Sequence, residues 1–329
     1  MISLFKELVN YLTGIFKTST NLSLTLFKLM IPIIVVIKIM EYFGIVLLLS
    51  EWLTPLMELV GLPGAMGLVW ATTLVTNLYG GLVVYASLAA DIPMTVAQVT
   101  ILSSMMLIAH ALPIEARIAQ KAGVNIIVTL LLRVGMAVVI AIIYNRIYLS
   151  TNWLQQPAEL LWTPELVDHS LISWIQNQLV NLLLIFCIVL ALVLLLDMLK
   201  RLGIIQRVNN LLRPVLHLLG IGREAETITL VGITLGLSYG GALLINEAQA
   251  GHIKPRDVLF SMSLLGLSHS LIEDTLLMML IGADLTGILA GRIIFTLVII
   301  YLMVKIIDRC SPKSVDRYLV KSVSKKVLA

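Results

Sequence analysis

The sequence predicts an all-α polytopic membrane protein built from two inverted structural repeats, each with spanning helices and a broken or re-entrant Tyr-Gly-Gly segment. Three observations predict it. Of the 329 residues, 59% are hydrophobic and 13% charged, against ~45–50% apolar and ~25% charged in soluble globular domains, and the mean hydropathy is +1.00. One spacing recurs along the chain: Gly44 and Gly203, Pro55 and Pro214, Gly61 and Gly220, His110 and His269, Gly123 and Gly282, and Arg133 and Arg292 each stand 159 residues apart. The basic residues, finally, fall on different loops in the two copies. Such a composition excludes a soluble enzyme, a secreted disulfide scaffold and a disordered regulator. Cys187 lies in an apolar run and Cys310 in a basic tail, settings that argue against a disulfide.

Residues 1–17 place Ile2, Phe5, Leu8, Val9, Leu12, Ile15 and Phe16 at helical spacing, with Lys6, Glu7, Asn10 and Lys17 between them. This predicts an interfacial amphipathic helix, and the order of features that marks a cleaved signal peptide is not found. The first repeat, 18–148, then reads as an apolar helix (20–41), an amphipathic stretch (43–60) and an apolar segment (64–90) interrupted by Tyr79-Gly80-Gly81. Two helices (94–111 and 124–148) complete it. The second repeat, 177–307, has the same series at 178–200, 203–219, 224–250 with Tyr239-Gly240-Gly241, 257–271 and 284–307. A span needs ~20 residues, so the first and last helices of each repeat are long enough to cross. The linker 149–176 has no Lys or Arg and carries Trp153, Trp162 and Trp174, as an outer, periplasmic interface would. The tail 308–329 is basic and is predicted to be cytoplasmic.

Charge orients the repeats. No Lys or Arg occurs between Lys38 and Arg117, whereas the matching stretch of the second copy carries Lys200, Arg201, Arg207, Arg213, Arg223, Lys254 and Arg256. Cytoplasmic loops collect Lys and Arg, so equivalent loops are expected outside in one copy and inside in the other. The expectation is a multi-pass protein of the cell inner membrane with both termini cytoplasmic. The loops flanking each Tyr-Gly-Gly share one charge character, so the segment is expected to dip in and return as a hairpin bent at Gly80-Gly81 and Gly240-Gly241, in preference to a kinked span.

Inverted repeats with interrupted helices are the layout of many secondary transporters. The unit of spanning helix, amphipathic stretch, Tyr-Gly-Gly segment and His-containing helix resembles the nucleoside-recognition or gate domain found in concentrative nucleoside transporters, in ferrous iron transport proteins and in paired spore maturation proteins. Over 18–148 and 177–307 the chain resembles two gate domains fused. The resemblance implies a solute site at the two breaks, formed by Tyr79, Gly80 and Gly81 in one copy and by Tyr239, Gly240 and Gly241, with Asn246 and Glu247 downstream, in the other. Ala86 and Ser87 stand near the matching place in the first copy. No GxxxxGK[ST] motif is present, which disfavours the GTP-driven iron machinery.

Arg133 and Arg292 stand within long apolar helices, where burying Arg costs ~2.5–3.5 kcal/mol on insertion scales. Each therefore needs a partner: Glu115 for Arg133 and Glu273 or Asp274 for Arg292, or an anionic group of a solute held by bidentate hydrogen bonds. His110 and His269, close in sequence to Glu115, Glu273 and Asp274, read either as neutral ties between helices or as a proton relay for coupling. Asn77 before the first Gly pair reads as lining a solute site. No HxxH, HxxxH or CxxC spacing occurs, and histidines of separate copies would have to converge to bind a metal, so neither a metal nor another cofactor is predicted.

The expected function is secondary transport of a small polar or anionic organic solute, nucleoside-like solutes included, by alternating access between inverted repeats. Expected partners are membrane lipid, the small-molecule solute, a coupling proton or sodium ion, and a second copy of the chain in a homo-oligomer; no nucleic acid polymer is expected. The alternatives are a non-transporting scaffold for envelope assembly or spore maturation and an intramembrane enzyme. The second is disfavoured because no nucleophile–base pair stands out.

Overall fold

The structure, a computed structural model, describes residues 2–89, 91–159, 171–311, 315 and 318–320. Trp162 of the linker and most of the basic tail, including Lys313, Arg317, Lys321, Lys325 and Lys326, lie outside the described residues, as do the side chains of Ser238 and Tyr239.

The elements run in order as α1 (Ile2–Tyr42), α2 (Ile45–Leu59), α3 (Met66–Val75), α4 (Leu78–Leu88), α5 (Val96–Ile108), α6 (Leu112–Ala122) and α7 (Ile126–Thr151). They are followed by α8 (Leu171–Arg201), α9 (Ile204–Leu218), α10 (Arg223–Leu235), α11 (Leu237–Ala250), α12 (Pro255–Leu267), α13 (Glu273–Met279) and α14 (Arg292–Ile307). A π-helical stretch, Thr286–Gly291, leads into α14. Seven helices thus return in the same order. The bounds of α9 and α12 are those of α2 and α5 moved by 159 residues. Gly44 and Gly203 turn the chain from α1 into α2 and from α8 into α9 with φ of 69° and 71°, a left-handed conformation that a side chain would oppose.

Helix α1 is continuous where the sequence predicts an interfacial helix over 1–17 and a separate span over 20–41. The reason is local. Thr18 and Thr20, which mark the expected boundary, donate their hydroxyls to the carbonyls of Gly14 and Phe16 one turn back and stay helical. The equivalent helices α1 and α8 pack antiparallel: Tyr11 donates to Asp197 at 2.7 Å, and the rings of Phe16 and Phe186 meet edge-on at 5.8 Å. That is the arrangement inverted repeats require.

The Tyr-Gly-Gly segments are helical hairpins, but their tips lie upstream of the glycines. In the first repeat the chain breaks at Thr76 and Asn77, and in the second at Gly236, whose φ is 95°. The Asn77 side chain caps α4 by accepting from the Gly80 amide at 2.9 Å. The glycine pairs sit in the first turn of α4 and α11 and permit close return of each hairpin. A Cβ on Gly81 would collide with Thr73 of α3, and one on Gly240 with the backbone of Gly232 in α10. Helices of 10 and 11 residues rise only about 15–17 Å, roughly half the hydrocarbon thickness.

Among the described residues three helical stretches, Ile126–Thr151, Gln178–Arg201 and Thr286–Ile307, are long and apolar enough to cross a membrane, and α5 with α6 forms a fourth stretch bent by 40°. The molecule is apolar outside as well as inside: Val36, Leu131, Leu183 and Ile294 are exposed on their helices, as a lipid-facing surface requires. At the centre, α5 and α12 are buried on all sides. Leu102, Met105, Met106 and Leu107 match Ser261, Leu264, Leu265 and Gly266 across the repeat. Tyr144 of α7 closes the interface between the halves by donating to the Gly287 carbonyl at 2.8 Å, and the Asp284 amide donates to Thr100 at 2.9 Å.

Candidate functional site

Both central helices end in the same unusual way. α5 stops at Ile108, His110 follows, and Ala111 takes φ of 47° before α6 begins; α12 stops at Leu267, His269 follows, and Ser270 also takes φ of 47°. A left-handed conformation at a residue with a Cβ is strained by ~1–3 kcal/mol and persists only where the surroundings enforce it. Here it stops each helix inside the protein and leaves its last carbonyls without amide partners.

The sequence satisfies those carbonyls with its own buried polar groups. His110 Nδ1 bonds the Met106 carbonyl at 2.9 Å, and His269 Nδ1 bonds that of Leu265 at 2.7 Å. Arg133 Nε donates to the Ile108 carbonyl at 2.9 Å, and Arg292 Nε to that of Leu267 at 3.1 Å. The repeat-related His and Arg pairs thus perform the same capping task twice. Both arginines are essentially fully buried, at 1% and 0% exposure, and Gly266 of α12 leaves room for the Arg133 stem, whose Cδ a Cβ there would meet at 3.4 Å.

Symmetry is lost in the remaining contacts. Arg133 forms an ion pair with Glu115 through Nη1. Arg292 instead uses Nη2 on two further carbonyls, Leu107 at 3.2 Å and His269 at 3.0 Å, and among the described residues no carboxylate lies within ion-pair distance of it. One nitrogen of each guanidinium, Arg133 Nη2 and Arg292 Nη1, is buried without a hydrogen-bond partner in the chain.

The two broken ends meet. His110 Nε2 lies 3.1 Å from His269 Nε2, and Glu115 Oε1 lies 3.4 Å from the first and 3.3 Å from the second. Asp274 places a carboxylate oxygen within 4.8 Å of both imidazoles. The result is one polar centre shared by both repeats and enclosed by apolar helices.

Of the residues expected to bind or couple, the structure gathers His110, Glu115, His269, Asp274, Arg133 and Arg292 here. Glu273 stands beside them at the start of α13, partly buried. Tyr79 is partly buried on α4, while Gly80, Gly81, Gly240 and Gly241 are helix-packing positions, Gly241 against Ile118 of α6. Asn246 is exposed and Glu247 pairs with exposed His252 at 2.6 Å. Sequence reading missed a second buried acid, Glu226, which holds Arg213 at 2.6 Å and His217 at 2.8 Å. The i,i+4 spacing of Arg213 and His217 on α9 was its visible signal.

Fold and site together define an all-α polytopic membrane protein in which broken helices from two repeats meet at a buried polar centre. In its second half, residues 182–285 match the family described as Gate, nucleoside recognition. The chain is also similar to the uncharacterized membrane protein YvoD of Bacillus subtilis (strain 168), with 27% identity over 273 residues that cover 82% of this chain and 86% of the relative. No solved structure matches.

Proposed function

We propose that the protein is a carrier rather than an enzyme: a secondary transporter of a bacterial-type inner membrane, with cytoplasmic termini. It moves a small polar or anionic organic solute, nucleoside-like solutes included, by alternating access between its repeats. The observation that carries this reading is the convergence of both broken helix ends on one polar centre. A purely structural bundle has no need to stop two central helices inside an apolar core, because each break exposes carbonyls that are costly to leave unpaired. Interrupted helices between repeats are where transporters hold solutes and coupling ions.

The unpartnered Arg133 Nη2 and Arg292 Nη1 suit an anionic group, and the His110, His269, Glu115, Asp274 and Glu273 cluster suits a coupling proton or sodium ion. The purified chain in proteoliposomes tests the reading. A panel of nucleosides, organic anions and phosphate esters is offered under a proton or a sodium gradient. Gradient-driven uptake of at least one member, lost in Arg292→Lys, is expected, because lysine keeps the charge but has no second nitrogen to offer. Absence of both uptake and ligand-induced thermal stabilisation across the panel refutes the proposal.

A further inference from the structure

We infer that His110, His269 and Glu115, with Asp274 beside them, form a binding site for a divalent transition-metal ion of the zinc and cobalt class, shared between the two repeats. The inference rests on the geometry of the polar centre, whichever solute the protein carries, and the metal ion occupies the same groups as a coupling proton or sodium ion would, in exchange with it.

The argument begins with the imidazole tautomers. Each Nδ1 lies 2.7–2.9 Å from a backbone carbonyl, which accepts only, so each Nδ1 carries a hydrogen, and in the neutral imidazole, the form that ligates a metal, Nε2 carries a lone pair. Those two lone pairs face one another at 3.1 Å, with a carboxylate oxygen 3.3–3.4 Å from both. Three acceptors thus form a nearly equilateral triangle. Metal–ligand bonds of ~2.0–2.1 Å in a tetrahedron place the ligand atoms about 3.3 Å apart, so the triangle already has the dimensions of one tetrahedral face. A fourth ligand has a source in Asp274, whose oxygen lies within 4.8 Å of a ring nitrogen of each histidine, directly or through a bound water.

The support around the triangle is that of a metal site. Ligating histidines almost always donate the other ring nitrogen to a carbonyl or carboxylate, which fixes tautomer and ring orientation, and both histidines do so here. Glu115 is oriented in the same way, because Arg133 holds Oε2 and leaves Oε1 to the triangle. Imidazole and carboxylate ligands select zinc, cobalt and their neighbours over magnesium or calcium, which prefer all-oxygen shells. The two carboxylates match the charge of a divalent ion, while the adjacent guanidiniums oppose it. The site therefore binds more weakly than a closed structural zinc site and exchanges its ion. Because the ligands come from both repeats, a bound ion clasps the halves together in the conformation described here.

Titration of the full-length, chelator-treated protein in detergent with cobalt(II) tests this without any transport measurement. One cobalt per chain with the intense visible absorption of a tetrahedral ion, displaced by zinc, is the expected result. His110→Ala and His269→Ala should each weaken binding by about 100-fold or more, beyond the 10–100-fold typical of outer-shell changes. His217→Ala and His252→Ala, at histidines outside the centre, should leave it unchanged. His269→Cys should retain the ion and add a sulfur-to-cobalt charge-transfer band, which separates lost ligation from lost folding. The proposal is overturned if the wild-type chain takes up no cobalt at millimolar concentration, which would leave a proton alone at the centre, or if binding follows His217 or His252 instead.

Discussion

Arg133→Met is the most informative single perturbation of the buried centre. Arg133 is 1% exposed, its Nε caps the Ile108 carbonyl at 2.9 Å, and its Nη1 holds Glu115, whose side chain is 11% exposed. Methionine preserves the aliphatic stem and the helix but removes the guanidinium. Breaking a buried ion pair from one side costs ~3–5 kcal/mol because the other charge is stranded, and the orphaned carbonyl adds ~1–3 kcal/mol. The single variant should therefore lose about 4–8 kcal/mol. In Arg133→Met/Glu115→Gln no charge is stranded, and the loss should fall to about 1–3 kcal/mol from the unpaired carbonyl. The less perturbed chain is thus the more destabilised one. Reversible unfolding of the purified protein in mixed micelles, followed by tryptophan fluorescence, measures both. A double variant as unstable as the single one, or less stable, would refute the claim that Glu115 depends on Arg133 for its burial.

Three further outcomes follow from the fold. Gly240→Ala should open the α10–α11 hairpin and destabilise by about 1–3 kcal/mol, the usual cost of overpacking, because its Cβ meets the Gly232 backbone. Gly135→Ala, where no atom lies within 4 Å, should instead stabilise by about 0.5–1 kcal/mol through helix propensity; thermal unfolding in detergent ranks the two. Ala111→Gly and Ser270→Gly should each relieve the left-handed strain at φ of 47° and raise stability by about 0.4–1 kcal/mol; a loss of stability would show that the methyl or hydroxyl makes contacts worth more than the strain. Inversion of the repeats has its own test. With Cys187 and Cys310 replaced, single cysteines at the exposed positions Asp91 and Lys254 should be labelled by a membrane-impermeant thiol reagent from opposite faces, and labelling from one face would overturn the inverted arrangement.

The sequence by itself determined that this is a helical membrane protein with two copies of one unit. Too few charges exist to cover a soluble surface, and a fixed spacing between His, Arg and Gly pairs survives in any conformation. It also picked out His110, His269, Arg133 and Arg292, because polar groups in apolar runs are costly wherever the fold puts them. Tertiary structure alone decided what those groups touch. That the histidines meet depends on the antiparallel packing of two halves far apart in the chain, a relation that no local spacing encodes. The Gly-Gly pairs read as hairpin tips, yet Asn77 and Gly236 make the turns, because a glycine's freedom serves a turn and a close helix contact equally well and only the facing residues Thr73 and Gly232 distinguish them. Equivalent arginines find different partners, Glu115 for one and three carbonyls for the other, because the repeats have diverged around a centre that each half only partly builds.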